Sequence, residues 1–155
     1  MNMYEHLEDE ACRDGIDIID CDFESKKIKG LYCDNTIGIN RNIETVEEKK
    51  CVLAEELGHH HTSVGCILDQ TDAGNRKQER QARLWGYNKL IGLNRLIDAY
   101  EHGCQNRYEL AEYLGVTDEY LHDCIECYRD KYGVCVTIGD YYIMFIPNLQ
   151  VGKVI

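Results

Sequence analysis

Glu55, Glu56 and His59 lie within five residues of one another, on a segment that reads as a helix: Leu53 to His61, LAEELGHHH. Residues four apart share a helix face, so Glu55 and His59 can present a carboxylate and an imidazole to one divalent metal ion. Glu56, between them, is the type of residue that works as a general base on a water molecule. Such a site needs a third donor. Glu79 lies on the next helical pattern, with Ala82 and Gly86 three and seven residues further on. Small residues there let the second helix approach the first. The candidate chemistry is thus Glu55, His59 and Glu79 as metal ligands with Glu56 as base. A register one residue on, Glu56 with His60, has the same spacing. The dipole at a helix C-terminus also favours His59, His60 and His61 as plain solvated residues.

Those residues must be positioned by the elements around them. Tyr4 to Arg13 reads as a helix ended by Gly15. Ile16 to Ile19, Ile28 to Cys33 and Thr36 to Ile39 read as strands, with Asp34-Asn35 as a turn. Thr45, with Glu48 three residues on, is a capping-box start for the helix that carries the candidate site. It is expected to end near His61, with Thr62 to Gly65 closing it and a loop through Gln70 to Asn75. Ala82, Trp85, Leu90, Leu93 and Ile97 predict one long helix from Arg76 to about Ala99. Helices near Arg107 to Leu114 and Asp118 to Tyr132 follow. Val134 to Ile138, Gly139-Asp140 and Tyr141 to Ile146 predict a closing hairpin.

The 155 residues suit one domain, 1–155, with lobes of about 1–100 and 101–155. A net charge of -11 argues against general nucleic-acid binding, since phosphates attract Lys and Arg. The acidic N-terminus has no apolar signal region. No apolar run approaches the ~18 residues of a membrane span. A cytoplasmic location is expected, and the nine cysteines read as reduced thiols, mostly small core residues. Cys124 and Cys127, three apart in a helical pattern, read as one helix face rather than as a zinc or redox pair.

Glu55-Glu56-Leu57-Gly58-His59 resembles the H-E-x-x-H motif of zincins with Glu in the first position, and Glu79-x-x-Ala82 resembles the downstream motif of glutamate-type zincins. Taken together, Cys51 to Gly65 (CVLAEELGHHHTSVG) and Asn75 to Tyr87 (NRKQERQARLWGY) are similar to the ImmA/IrrE family of metallopeptidases, in particular its prophage and mobile-element members. The resemblance covers most of the chain and is strongest from about residue 35 to 90. It implies an α+β fold: a small zincin-like sheet with metal-binding helices, then a helical pair and a C-terminal β-hairpin. It also implies a zinc peptidase that cleaves a phage-type repressor encoded nearby and so releases the genes which that repressor silences. By motif position, Glu55, His59 and Glu79 match the ligands and Glu56 the base. Where many relatives have His, Glu55 departs from the pattern. Two carboxylates and one neutral imidazole cancel the charge of Zn²⁺, weaken it as a Lewis acid, and shift preference toward harder Mn²⁺.

In this mechanism Glu56 takes a proton from water, the hydroxide attacks the scissile carbonyl, and Glu56 returns the proton to the leaving amine. His60, His61, Arg83 and Tyr87 are the candidate donors to substrate or oxyanion, and the sequence does not choose among them. Tyr108 to Leu121 resembles a helix-turn-helix, but its second helix begins Asp118-Glu119, and acids there repel phosphates. A helical pair packed on the core, holding a protein substrate, is the plainer reading. Arg76, Lys77, Arg80 and Arg83 form a basic cluster on the Glu79 helix. Two rivals to the peptidase reading remain: a regulator of the same fold that works by binding, and a helix-turn-helix DNA-binding regulator.

Overall fold

Asn2 caps the first helix. Its side chain accepts from the Glu5 amide while the Glu5 carboxylate accepts from the Asn2 amide, so two donors left over at the helix start are met. This helix, α1, runs Met3–Arg13 and buries Leu7 and Ala11, four residues apart on one face. The computed structural model describes residues 2–25, 27–62 and 73–154. The expected closing turn at Ser63 to Gly65 and the first part of the expected loop, 70–72, lie outside the described residues.

Among the described residues the chain forms six helices and two three-stranded sheets, a mixed α+β fold as expected. It divides into two units, Met1–Lys89 and Leu90–Ile155.

In the first unit, β1 (Asp17–Cys21), β2 (Gly30–Cys33) and β3 (Thr36–Asn40) make a sheet of order β1-β3-β2. β1 pairs parallel to β3, and β2 pairs antiparallel to it. The turn between β2 and β3 carries positive φ at Asp34 (49°) and Asn35 (58°), a conformation that short polar side chains tolerate best. Central β3 is the most buried strand, with Ile37 and Ile39 in the core. α2 (Val46–Thr62) starts at Thr45, whose hydroxyl accepts from the Glu48 amide at 3.2 Å. At its far end the Thr62 hydroxyl donates to the Gly58 carbonyl at 2.7 Å. Leu53, Ala54 and Leu57 of α2 are fully buried together with Leu7 and Ala11. Burial on this scale contributes roughly 1.5–3 kcal/mol per large side chain. β2 is an edge strand that packs against α2.

The single long helix expected from Arg76 to Ala99 is two helices. α3 spans Ala73–Leu90 and α4 spans Gly92–His102. Gly92 has φ of 69°, the left-handed region, which interrupts the helical hydrogen-bond ladder. Apolar periodicity continues through the break, so spacing alone does not reveal it.

In the second unit α4 is followed by α5 (Arg107–Leu114) and α6 (Asp118–Tyr132), both where expected. Asn106 caps α5, Gly115 ends it in the left-handed conformation, and the Thr117 hydroxyl accepts from the Tyr120 amide at 3.1 Å. β4 (Cys135–Ile138) and β5 (Tyr141–Met144) form the expected hairpin. A third strand, β6 (Gln150–Lys153), adds to β5 after a cis Ile146–Pro147 bond. Its four residues carry too weak a pattern to announce a strand. Gly152 lets it lie under Tyr142, because a Cβ there would meet the ring at 2.6 Å. Leu110, Leu114, Leu121, Tyr128, Ile143 and Phe145 form this unit's core.

Among the described cysteines, Cys51 and Cys124 are buried, Cys12 and Cys135 are exposed, and Cys21, Cys104 and Cys127 are half-buried, all as free thiols. Cys33 is disulfide-bonded. The expectation of reduced thiols throughout is corrected at that position, because a cysteine count cannot reveal which sulfurs the fold brings into bonding range. Burial pushes the Cys124 thiol up, away from the thiolate that a metal or redox role would need. No described helix is long and apolar enough to cross a membrane.

Candidate functional site

Four polar or charged residues are buried among the described ones: Asn40, Glu56, His59 and Glu79. Asn40 is explained by structure, since its amide donates to the Ile28 carbonyl at 2.8 Å. The other three are candidate site residues. Burying ionisable groups is unfavourable unless they are paired or hold a metal.

α2 and α3 bring them together at a close helix contact. A Cβ on Gly58 would lie 2.1 Å from the Ala82 carbonyl oxygen, so only glycine lets α3 approach this near. Ala82 is fully buried, as its predicted place on the Glu79 face requires. Gly58, the other half of the contact, is only a spacer in the sequence motif, and the fold gives it this packing role. The approach places Glu79 Oε2 3.0 Å from His59 Nε2. Glu55, His59 and Glu79 each offer one ligand atom, and these lie within 4.8 Å of one another. Glu56 Oε1 is 3.9 Å from His59 Nε2. Gly30 on β2 lies over Glu56: a Cβ there would come within 3.1 Å of Glu56 Cγ. The buried carboxylate therefore sits under the backbone of the edge strand.

The electrostatics follow from crowding three carboxylates beside one imidazole. Burial pushes the Glu56 carboxyl up to about 8, partly opposed by His59 and reinforced by Glu55 and Glu79. Burial likewise raises Glu55, which shares a hydrogen bond with Glu79, while Arg83 opposes the rise. Glu79 would also rise on burial, but its hydrogen bonds to His59 and Glu55 and the charges of His59 and Arg83 hold it below the usual carboxylate range. Burial lowers His59, yet the three carboxylates outweigh that and raise it. A cluster that draws protons and cations this way is what a divalent ion would neutralise.

Arg83 Nε lies 3.3 Å from Glu55 Oε1 and 3.4 Å from Glu79 Oε1, so this candidate donor does join the cluster. Tyr87, one helical turn on, is buried and acts electrostatically on Arg83. His60 and His61 turn elsewhere. His60 Nδ1 is 2.8 Å from the Tyr32 hydroxyl, and His61 Nε2 is 3.6 Å from Asp14 Oδ2. With Asp14 they form a second group of ligand atoms within 4.8 Å. The alternative pairing of Glu56 with His60 belongs to neither group. Arg76, Lys77 and Arg80 are exposed. Tyr32 and Asp14 had no signal in the sequence, because both reach α2 through tertiary contacts.

A carboxylate and an imidazole four apart on one helix, faced by a carboxylate from a second helix beside an edge strand, is the layout of a metal-dependent hydrolase. A peptidase family described as the IrrE N-terminal-like domain matches residues 11–123. The chain belongs to that family, and it is a metallopeptidase of the ImmA/IrrE type. No curated protein and no solved structure matches it.

Proposed function

We propose that the chain is a zinc-dependent endopeptidase of the glutamate type, in which Glu55, His59 and Glu79 hold the metal and Glu56 is the base. The observation that carries the reading is the convergence of the three ligand atoms within 4.8 Å, beside a fourth, buried carboxylate. The donor set of two carboxylates and one imidazole suits zinc and admits Mn²⁺. Bound there, the ion would supply Lewis acidity toward the scissile carbonyl and lower the pKa of a water.

The rest is the work of the chain's own side chains. Glu56 accepts a proton from the attacking water and delivers it to the leaving amine nitrogen. Its burial keeps bulk water from competing and favours proton uptake. The edge of β2 above Glu56 suits an extended peptide added as a further strand, with backbone hydrogen bonds setting its register. Arg83 and Tyr87, at the cluster, are better placed than His60 and His61 to meet the developing oxyanion.

The substrate in this proposal is a phage-type transcriptional repressor encoded nearby and cleaved in the cytoplasm, so that prophage or mobile-element genes are derepressed. Family membership and the resemblance to mobile-element relatives support it. α5 and α6, with Asp118 and Glu119 opening the second helix, suit a protein contact better than DNA. The test is cleavage of the neighbouring gene's repressor by wild type and by Glu56→Gln. Loss of cleavage with zinc retained is expected; undiminished cleavage by the variant would remove Glu56 from the mechanism. One observation favours a second reading, a regulator that binds without cutting. Arg83 pairs with both proposed ligand carboxylates, Glu55 and Glu79, which offsets part of their charge without a metal.

A further inference from the structure

His60 and His61 lie beside the proposed zinc ligand His59 but cannot share its site easily, since successive residues turn about 100° around a helix. What they do face is assembled from three other elements. Asp14, at the C-terminal cap of α1, brings Oδ2 to 3.6 Å from His61 Nε2. Trp85 on α3 stacks on the His61 ring at 4.7 Å between centroids, and the His60 ring meets His61 edge-on at 5.0 Å. Both imidazoles are thereby held in fixed orientations.

The Tyr32 hydroxyl lies 2.8 Å from His60 Nδ1 and 3.2 Å from Asn35 Oδ1. In the tautomer with the proton on Nδ1, that nitrogen donates to the phenol oxygen and the Nε2 lone pair is left for a ligand. A metal-ligating histidine is normally held in this way, one ring nitrogen donating to an oxygen while the other faces the ion.

We propose that Asp14, His60 and His61 form a second divalent-cation site, separate from the Glu55–His59–Glu79 cluster, that takes Zn²⁺ or a similar borderline cation. One ligand atom from each of the three lies within 4.8 Å of the others. Two imidazoles and one carboxylate select Zn²⁺ and its neighbours over Mg²⁺ or Ca²⁺. The site is open to solvent, with the His61 and Asp14 side chains 31% and 38% exposed, so an ion can enter directly. A cation there ties the end of α1 to the end of α2, one residue from His59, and so restrains the helix end that carries the proposed catalytic ligand.

The test counts zinc on the full chain, after equilibrium dialysis without reductant. Wild type is expected to hold two equivalents. His59→Gln should hold one, D14N/H61N should hold one, and the combined variant none. Both Asp14 and His61 are exposed, so the double variant keeps its fold; thermal unfolding of the metal-free proteins checks this. In the His59→Gln background, zinc should raise the unfolding temperature, and D14N/H61N should abolish that rise. One equivalent on wild type that persists in D14N/H61N and is lost in His59→Gln overturns the proposal. So does a second equivalent that persists in D14N/H61N, which would mark thiol binding elsewhere.

Discussion

Gly58→Ala is the sharpest probe of how the candidate site is assembled. In an open helix this change stabilises by about 1 kcal/mol, because glycine is the poorer helix former. Here the new methyl would lie 2.1 Å from the Ala82 carbonyl oxygen and 2.8 Å from its carbonyl carbon. These are backbone atoms and cannot rotate away. Contacts of this kind essentially never fall below 3.0 Å, so α2 and α3 must part by about 0.9 Å. Overpacking costs about 1–3 kcal/mol, which outweighs the propensity gain. The net effect should be destabilising by roughly 1 kcal/mol, a fall of about 4–8 °C in Tm for a unit of this size. The larger consequence is at the ligands. Glu79 moves with α3 while Glu55 and His59 stay on α2. Loss of ligand support of this order lowers metal affinity about 10–100-fold. Competition with a chromophoric chelator measures the affinity, and calorimetry measures Tm. A Gly58→Ala protein that is more stable than wild type and binds zinc equally well would refute the claim that this helix contact sets the site.

Stripped of metal, the chain should lose stability as pH rises from about 5 to 9. The folded Glu56 carboxyl lies at about 8 against an ordinary 4.5, so its contribution is present below 4.5 and lost as pH passes 8. That shift corresponds to roughly 4–5 kcal/mol. His59, raised from 6.5, and Glu55, raised from 4.5 to about 7, add to the same trend, since each contribution is present below the ordinary value and lost as pH rises through the folded one. Glu79, lowered, acts only as pH falls below 4.5 and so lies outside this window. Denaturant unfolding at three pH values measures the slope; Glu56→Gln should flatten it, and a slope unchanged in that variant would place its origin elsewhere. Arg83→Met should tighten zinc binding by up to about 5-fold, because a half-exposed guanidinium contributes about 0–1 kcal/mol and competes for the ligand oxygens. Weaker binding would show instead that Arg83 orients the carboxylates. Thr117→Ala removes the α6 cap and should cost about 1 kcal/mol, read by thermal unfolding.

Much of the architecture and the candidate site was legible from residue spacing. The 3.6-residue repeat and the Thr45, Gly115 and Thr117 end signals located α2, α5 and α6, because caps and periodicity act over one or two turns. The same locality hid the break at Gly92, where apolar spacing runs on through a left-handed residue, and hid β6, whose four residues depend on Tyr142 for their place. At the site, the pairing of Glu55 with His59 is a property of one helix and could be read directly. The small residues Ala82 and Gly86 lead one to expect Glu79 to reach them, and the close contact at Gly58 brings it there.

Other features were decided only in three dimensions. His60 and His61 have the same residue type as His59 and adjoin it, so their sequence context separates them poorly. Tertiary neighbours divide them: Glu79 takes His59, Tyr32 takes His60, and Asp14 with Trp85 takes His61. Sequence alone determined which groups on α2 could do chemistry, since helical geometry orders side chains by their spacing. The tertiary structure decided which of them meet a partner. Burial and contact depend on residues far along the chain, and those set the charge and orientation of each ring and carboxylate.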